Sequence, residues 1–336
     1  MPYLFALDAG LSGGSVAQDE VDVILASELD FSWTSILSSA VPGRQPQRVR
    51  LRSLEHEIDF ALSTLAFVTI RHARAQLLAL HGPVTLTPED RRAAITSAVK
   101  DLLTSSGIYR YLLQRSSELT LAPPTIDVSS PVFSALAELF HGEATLLAVL
   151  KDDPYPAVTG QGRNENDLEW MIKAPDLPKV RAHLFARLCL AAADRAGQAS
   201  ATLQHLSRVD EALVDYAGSL REVARAKACR FFAIDADLSG KTAEAIAWLR
   251  AARGELRYGA AKENEDGRTG KFSRWRRGRD ERREDKKIQQ GGEWGRDAGK
   301  LEEGRVLDML ESKWVKMNET VWLESRLLMR LKMSRY

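Results

Sequence analysis

The sequence has few cysteines and no long apolar run. Its 336 residues include only two cysteines, Cys189 and Cys229, both in apolar helical context. This usage is typical of buried thiols rather than of a disulfide framework, and it favours a reducing compartment. No apolar run approaches the roughly 20 residues that cross a bilayer. The N-terminus has no basic start and reaches Asp8 early, unlike a signal peptide, so we expect a cytoplasmic protein.

The chain also lacks an excess of either charge. It carries 47 Lys and Arg against 46 Asp and Glu, a net charge of +1. This balance gives no reason to expect nucleic acid as a partner of the whole molecule. One stretch, Arg274–Arg283, is locally basic. Such a run is most often a solvated helix or loop, and the alternative is a patch for acidic lipid headgroups.

Residues arranged for catalysis or for metal binding are missing as well. Gly160-Gln161-Gly162 follows no strand and has no third glycine at the spacing of a phosphate-binding loop. The adjacent carboxylates Asp152 and Asp153 are interpreted as helix-end caps or solvent-facing groups rather than as an acid–base pair. The sequence therefore supports neither an enzyme nor a cofactor. No zinc-helix spacing occurs among the six histidines, His56, His72, His81, His141, His183 and His205.

What is present is helical periodicity over most of the chain. Leu54, Ile58, Leu62, Leu65 and Val68, for example, recur at three- or four-residue spacing and predict an apolar helix face. The pattern predicts a mainly α fold in one domain. We divide that domain into a mixed segment (1–50), a helical core (51–257), a charged loop or helix (258–298) and a C-terminal helix (299–336). Within these, the predicted helices are 51–80, 87–112, 131–151, 178–205, 208–238, 241–257 and 299–330.

The stretch Phe231–Gly254 resembles half of a tetratricopeptide repeat. Gly240 marks a turn, and Ala245, Leu249 and Ala252 follow at the small–large–small spacing that lets two helices pack closely. We therefore predict an antiparallel helix pair here.

Several segments carry a resemblance to the BRO-domain family. Phe31-Ser32-Trp33 is similar to the family's aromatic strand, and Gly107-Ile108-Tyr109 to its glycine–aromatic element. The block 146–193 is similar to the fungal members that regulate the response to ambient pH. The resemblance implies an elongated helical solenoid with tetratricopeptide-like hairpins and a small N-terminal β element. Further matching segments are Pro2–Gly10, Ser53–Glu57, Ala61–Ala66, Tyr111-Leu112, Lys241–Arg253 and Gly291–Gly295.

The resemblance also has departures at both ends. The segment similar to Met1–Gly10 is internal in the family, which implies that the β element is incomplete here. Val321–Tyr336 is basic and rich in Leu and Met, unlike the family's Pro-containing tail.

The resemblance implies a non-enzymatic adaptor of the fungal Pal/Rim pathway of alkaline-pH signalling. Such an adaptor recruits ESCRT-III to a plasma-membrane sensor complex, so that the pathway's transcription factor is activated by proteolysis. Its partners would be the C-terminal amphipathic helix of the ESCRT-III core filament subunit and other Pal/Rim components. It would be cytoplasmic, with recruitment to cortical sites of the plasma membrane or to endosomes. Two alternatives stay open, namely a BRO-domain adaptor of endosomal sorting and a generic helical-repeat scaffold.

The family's receiving patch matches Ala148, Val180 and Leu184 in this sequence. Helix-in-groove recognition would use these side chains as apolar contacts. An equally good interpretation places Val180 and Leu184 in the core, because an apolar stripe of helical period normally faces the interior.

Overall fold

The computed structural model of the protein describes residues 15–16, 19–20, 30–38, 48–80, 87–118, 122–156, 179–257 and 295–333. Some stretches that the sequence singled out lie outside the described residues. They are Pro2–Gly10, Gly160–Gly162, the basic run Arg274–Arg283, and Gly291–Gly295 except for Gly295 itself.

Two short antiparallel strand pairs form the N-terminal β element. Strands β1 (Ser15–Val16) and β2 (Asp19–Glu20) pair with each other, as do β3 (Phe31–Thr34) and β4 (Arg48–Leu51). Trp33 of β3 stacks on Phe60, with ring centroids 5.4 Å apart. The aromatic strand predicted from the sequence therefore packs on the helical core.

Seven α-helices make up the rest of the described chain, and the prediction of a mainly α fold is confirmed. Each helix from α1 to α6 packs on the next in chain order, and α7 packs on α6 and α5. The helices thus stack as a solenoid of antiparallel hairpins. They are α1 (Leu54–Ala79), α2 (Pro88–Glu118), α3 (Ser130–Asp152), α4 (Lys179–Gln204), α5 (Glu211–Asp237), α6 (Thr242–Leu256) and α7 (Lys300–Met333).

Local signals placed several helix ends well. The backbone amide of Asp90 donates to Thr87 Oγ1 at 3.1 Å, so Thr87 caps α2 as predicted. Gly240 has a φ of +74° in the turn between α5 and α6, a conformation that favours glycine. Ala245, Leu249 and Ala252 are all fully buried, so the close helix pair is confirmed.

Several residues of the predicted apolar helix patterns point outward instead, and Met317 of α7, which is 48% exposed, is one of them. Val68 is 58% exposed and Leu103 is 44% exposed. On α1 the buried stripe runs through Ile58, Leu62 and Ala66, and Val68 lies beside it. The sequence periodicity identified the helix correctly, but the predicted buried face included a residue that is exposed to solvent.

Helix α3 is the central helix of the core. Contrary to the expectation from the sequence, this helix is by length and composition apolar enough to cross a membrane, but 72% of its apolar window is buried inside the protein. Gly142 lets α4 approach closely, since an added Cβ would stand 3.2 Å from the carbonyl oxygen of Ala192. This contact fixes the antiparallel register of α3 and α4, and the C-terminal end of α3 lies beside the first turns of α4.

Candidate docking surface

The structure brings Ala148 and Leu184 to one end of the α3–α4 pair. Ala148 is exposed near the end of α3, and Leu184 is 50% exposed in the second turn of α4. The core interpretation of Leu184 is therefore wrong, and Ala182 and Phe185 fill the core on this part of α4. Val180 lies in the first turn of α4, and its side chain falls outside the described residues.

An open cleft of about 810 Å³ adjoins these two residues. It lies between α2, the end of α3 and the start of α4. Its lining includes four cations, Arg92, Lys100, Lys151 and Arg181, and one carboxylate, Asp152. In the described ranges, none of the four cations forms an ion pair. The cleft is therefore a region of positive potential.

Helical spacing places the apolar residues and the cations on shared faces. Ala148 and Lys151 are three residues apart on α3, and Leu184 and Arg181 are three apart on α4. Residues at this spacing are neighbours on a helix surface. On α2 the exposed Leu103 stands in the same relation to Lys100. The surface formed by Leu103, Ala148, Leu184 and the four cations is called the docking surface below.

The other end of these helices is closed by internal ion pairs. Glu138 of α3 pairs with Arg195 of α4, and its other oxygen lies 3.6 Å from Arg110 of α2. Arg110 also contacts His141 Nδ1 at 3.1 Å. Partial burial, together with Arg195 and Arg110, lowers the pKa of His141. Both arginines at this end thus have a carboxylate partner, whereas the four cations of the cleft have none within the described residues.

A buried ionic cluster lies directly behind the cleft. Arg230 of α5 is 0% exposed, and its Nη2 lies 2.6 Å from Asp153 Oδ2 while its Nε lies 2.6 Å from Glu303 Oε1 of α7. Lys227 Nζ contacts the other oxygen of Glu303 at 2.7 Å. Asp153 is the C-cap residue of α3, in line with the interpretation as a helix-end cap, and its Oδ1 accepts from the Tyr155 amide at 3.1 Å. The solvent-facing alternative is wrong for Asp153, because its carboxylate is buried against Arg230.

The cluster keeps its charges although Arg230, Asp153 and Glu303 are buried and Lys227 is largely so. Burial alone would lower the pKa of Arg230, but Asp153 and Glu303 raise it above the ordinary value. Burial alone would raise the pKa of Glu303, but Arg230 and Lys227 lower it. Four mutually paired charges thus attach α7 and the end of α3 to α5.

Three aromatic residues beside the docking surface were not singled out in the sequence. His183 of α4, Phe232 of α5 and Trp248 of α6 contact one another in a row, with centroid distances of 6.1 and 5.2 Å. The available signal was a tryptophan in an alanine-rich helix, which sequence reasoning assigns to the core by default.

No chemistry for catalysis emerges from the described part of the chain. Among those residues no group of three or more His, Cys, Asp or Glu could hold a metal ion. Burial raises the pKa of the Cys189 thiol to about 12, so that thiol is protonated at neutral pH. What the site offers is a surface with apolar and cationic parts, suited to binding a partner.

Comparison with known proteins decides the family. The chain is 39% identical over 355 aligned residues to the pH-response regulator protein palC of Emericella nidulans, covering 96% of this chain and 70% of the relative. The chain belongs to the PalC family. No family model matches it.

Solved structures give the fold of this PalC-family chain. It superimposes on the BRO1 domain of ALIX in a complex with CHMP4C, with a TM-score of 0.52 at 17% identity, over 81% of this chain and 66% of that one. It superimposes equally on ALIX bound to a late domain of SIVmac239, with a TM-score of 0.51 over 34% of that longer chain. PalC-family membership and the BRO1 fold confirm the resemblance found in the sequence.

Proposed function

We propose that this protein is an adaptor of the fungal response to ambient pH and that it receives the amphipathic C-terminal helix of the ESCRT-III core subunit on the docking surface. The first part is supported by the relative, which is a pH-response regulator. The second is supported by the shared fold, since the ALIX BRO1 domain was solved as a complex with CHMP4C, an ESCRT-III subunit.

We choose this surface because of one observation, the half-exposed side chain of Leu184. A leucine that the core does not use, at the start of a helix and beside a cationic cleft, matches helix-in-groove recognition. Burying one leucine side chain contributes about 1.5–3 kcal/mol. The four cations favour a partner helix that carries acidic residues next to its apolar stripe.

In this proposal the protein links ESCRT-III to other Pal/Rim components at the plasma-membrane sensor complex. The assembled platform would support proteolytic activation of the pathway's transcription factor. The protein would be cytoplasmic, and its partners would recruit it to cortical sites or endosomes. Direct contact of Arg274–Arg283 with acidic lipids is a separate proposal. Co-sedimentation with anionic liposomes at rising salt would test it, because screening weakens such attraction.

The docking proposal is tested by replacing Leu184→Asp and measuring binding of a fluorescein-labelled peptide of the ESCRT-III C-terminal helix. Fluorescence anisotropy should show at least a tenfold loss of affinity. Val68→Asp is the matched control, since Val68 is similarly exposed on α1, which carries no residue of the docking surface, and it should bind as the wild type does. The helical circular dichroism of both variants should be unchanged.

Two results would count against the proposal. Unchanged binding by Leu184→Asp would exclude this surface. Failure of the wild type to bind the peptide would favour the generic helical-repeat scaffold. Adaptors of the pH pathway and of endosomal sorting would both bind the peptide, so a cellular experiment is needed to separate these two. Loss of the alkaline response in cells that carry Leu184→Asp, with normal endosomal cargo sorting, would separate those two.

A further inference from the structure

The aromatic row formed by His183, Phe232 and Trp248 has no cover within the described residues. Trp248 is 37% exposed, His183 is exposed and Phe232 is half-buried. Contiguous aromatic surface of this kind is enriched in the centres of protein interfaces. Intramolecular packing covers part of Phe232 and most of Trp248, and the exposed remainder of the row is available to a partner.

The row is continuous with the docking surface. His183 and Leu184 are consecutive residues on α4, so their side chains project about 100° apart around the helix axis. Phe232 of α5 follows next to His183, and Trp248 of α6 follows next to Phe232. With centroid steps of 6.1 and 5.2 Å, the row is about two turns of helix long, since one turn rises 5.4 Å.

The charges around the row indicate how an occupant would lie. Further along α5 and α6, Arg225 donates to both oxygens of Glu255, at 2.7 and 2.8 Å. These two charges neutralise each other, so this part of α5 and α6 offers no unpaired charge to an occupant of the row. On the opposite side of Leu184 lies the cleft with its four cations and one carboxylate. Electrostatic complementarity places the acidic part of a bound helix over the cleft.

We propose that the helix that docks at Leu184 extends across α4 and places a second apolar side chain on the row of His183, Phe232 and Trp248. This inference rests on the proposed function and adds to it. The occupant is an acidic amphipathic helix with two apolar anchors, one over Leu184 and one over the aromatic row. Its acidic residues meet the cations of the cleft.

The first test is Trp248→Ala, with the same labelled ESCRT-III C-terminal peptide as the probe. Affinity should fall about tenfold, as for an aromatic residue at the centre of an interface. Val68→Ala, the same kind of truncation on α1, should leave affinity unchanged. A folded Trp248→Ala variant that binds as tightly as the wild type overturns the inference. If Leu184→Asp still loses binding in that case, the proposed function stands without it.

Cys229 provides a second measurement on the wild-type protein, which decides the matter if Trp248→Ala fails to fold. It lies one turn from Phe232 on α5 and is half-buried, whereas Cys189 is buried. Saturating peptide should slow the reaction of Cys229 with a maleimide several-fold, and Cys189 serves as the unreactive reference. In Leu184→Asp this protection should disappear. Unprotected Cys229 under conditions where the peptide binds overturns the inference.

Discussion

The docking surface and the buried cluster around Arg230 use the same kinds of residue for opposite purposes. In the cluster, Arg230 and Lys227 are matched by Asp153 and Glu303, and every charge has a partner within 2.7 Å. In the cleft, which begins one residue before Asp153, four cations face one carboxylate. Burial demands pairing because an unpaired charge in the interior is costly. The charges that the fold leaves unpaired are those that a partner can use.

The largest effect that separates the two regions should come from removing Glu303. In Glu303→Ala, two buried cations share the single carboxylate of Asp153. We expect a loss of about 3–5 kcal/mol in the free energy of unfolding, as for broken buried ion pairs. Urea denaturation followed by circular dichroism would measure it. Lys151→Ala in the cleft is the control and should stay within about 0.5 kcal/mol of the wild type.

A loss below about 1 kcal/mol for Glu303→Ala would contradict this comparison. It would mean that α7 is held by apolar contacts, such as those of Val306 and Leu310, and that the cluster contributes little. A large loss for Lys151→Ala would contradict it from the other side, because the cleft would then be part of the stabilising structure.

A smaller contrast is expected within the adjacent pair of aspartates. Asp153→Asn removes the negative charge but keeps one acceptor oxygen for Arg230, which donates to Asp153 at 3.4 and 2.6 Å. We expect a loss of about 1.5–3 kcal/mol in the free energy of unfolding, the contribution of one hydrogen bond to a charged group. Asp152→Asn should leave stability unchanged and increase affinity for an acidic peptide a few-fold, since it removes the one carboxylate that lines the cleft. Denaturation and anisotropy on both variants would check this pair. If the two variants had the same stability and the same peptide affinity, the proposed difference between Asp152 and Asp153 would be wrong.

The sequence could predict the helices but not which of two neighbouring residues is buried. Periodicity and capping placed α4 and α5 to within a few residues, because both depend on local chain chemistry. Asp152 and Asp153 have the same local context, and only the position of α5 decides that Asp153 meets Arg230. One signal was available and unused. Arg230 interrupts the buried run Ala226, Ala228, Phe231 and Ala233 on α5, and a charge there implies a buried partner.

The candidate site was located by family resemblance rather than by periodicity. Matching α3 and α4 to the BRO-domain pattern selected Ala148 and Leu184, and both are exposed. Periodicity alone left the core and the receiving patch as equally good interpretations of Leu184. The sequence could not predict the aromatic row, because its three members lie on three different helices and are distant from one another in the chain.

The stability of the fold and binding at the docking surface should also respond differently to pH. Burial lowers the pKa of His56 and of His141 below 6.5, so their contribution to stability is present above about pH 6.5 and is lost as pH falls. The lowered pKa of Glu303 extends the loss below pH 4.5. Burial raises the pKa of Cys189 above 9, so its contribution is present below pH 9 and is lost as pH rises. We expect a stability plateau between these limits.

Thermal denaturation across that range would check the plateau. Binding of the peptide rests on the docking surface and not on these buried groups, so peptide affinity should be flat over the same interval. A stability maximum outside pH 6.5–9, or affinity that changes sharply within it, would show that groups other than these control one of the two regions.

The smallest predicted effect concerns salt, and it distinguishes the regions most directly. Raising the salt concentration from 50 to 500 mM, on the order of a threefold reduction in the screening length, should weaken binding of the acidic peptide. The cleft is open to solvent, so its attraction is screened, whereas the Arg230 cluster is excluded from water. Unfolding free energy should therefore change far less than binding.

Arg181→Ala should lower affinity a few-fold and make the salt dependence shallower, because each exposed ionic contact contributes only about 0.2–1 kcal/mol. An unchanged salt slope in Arg181→Ala would mean that the peptide's acidic residues do not reach the cleft, and the orientation of the bound helix would have to be reversed.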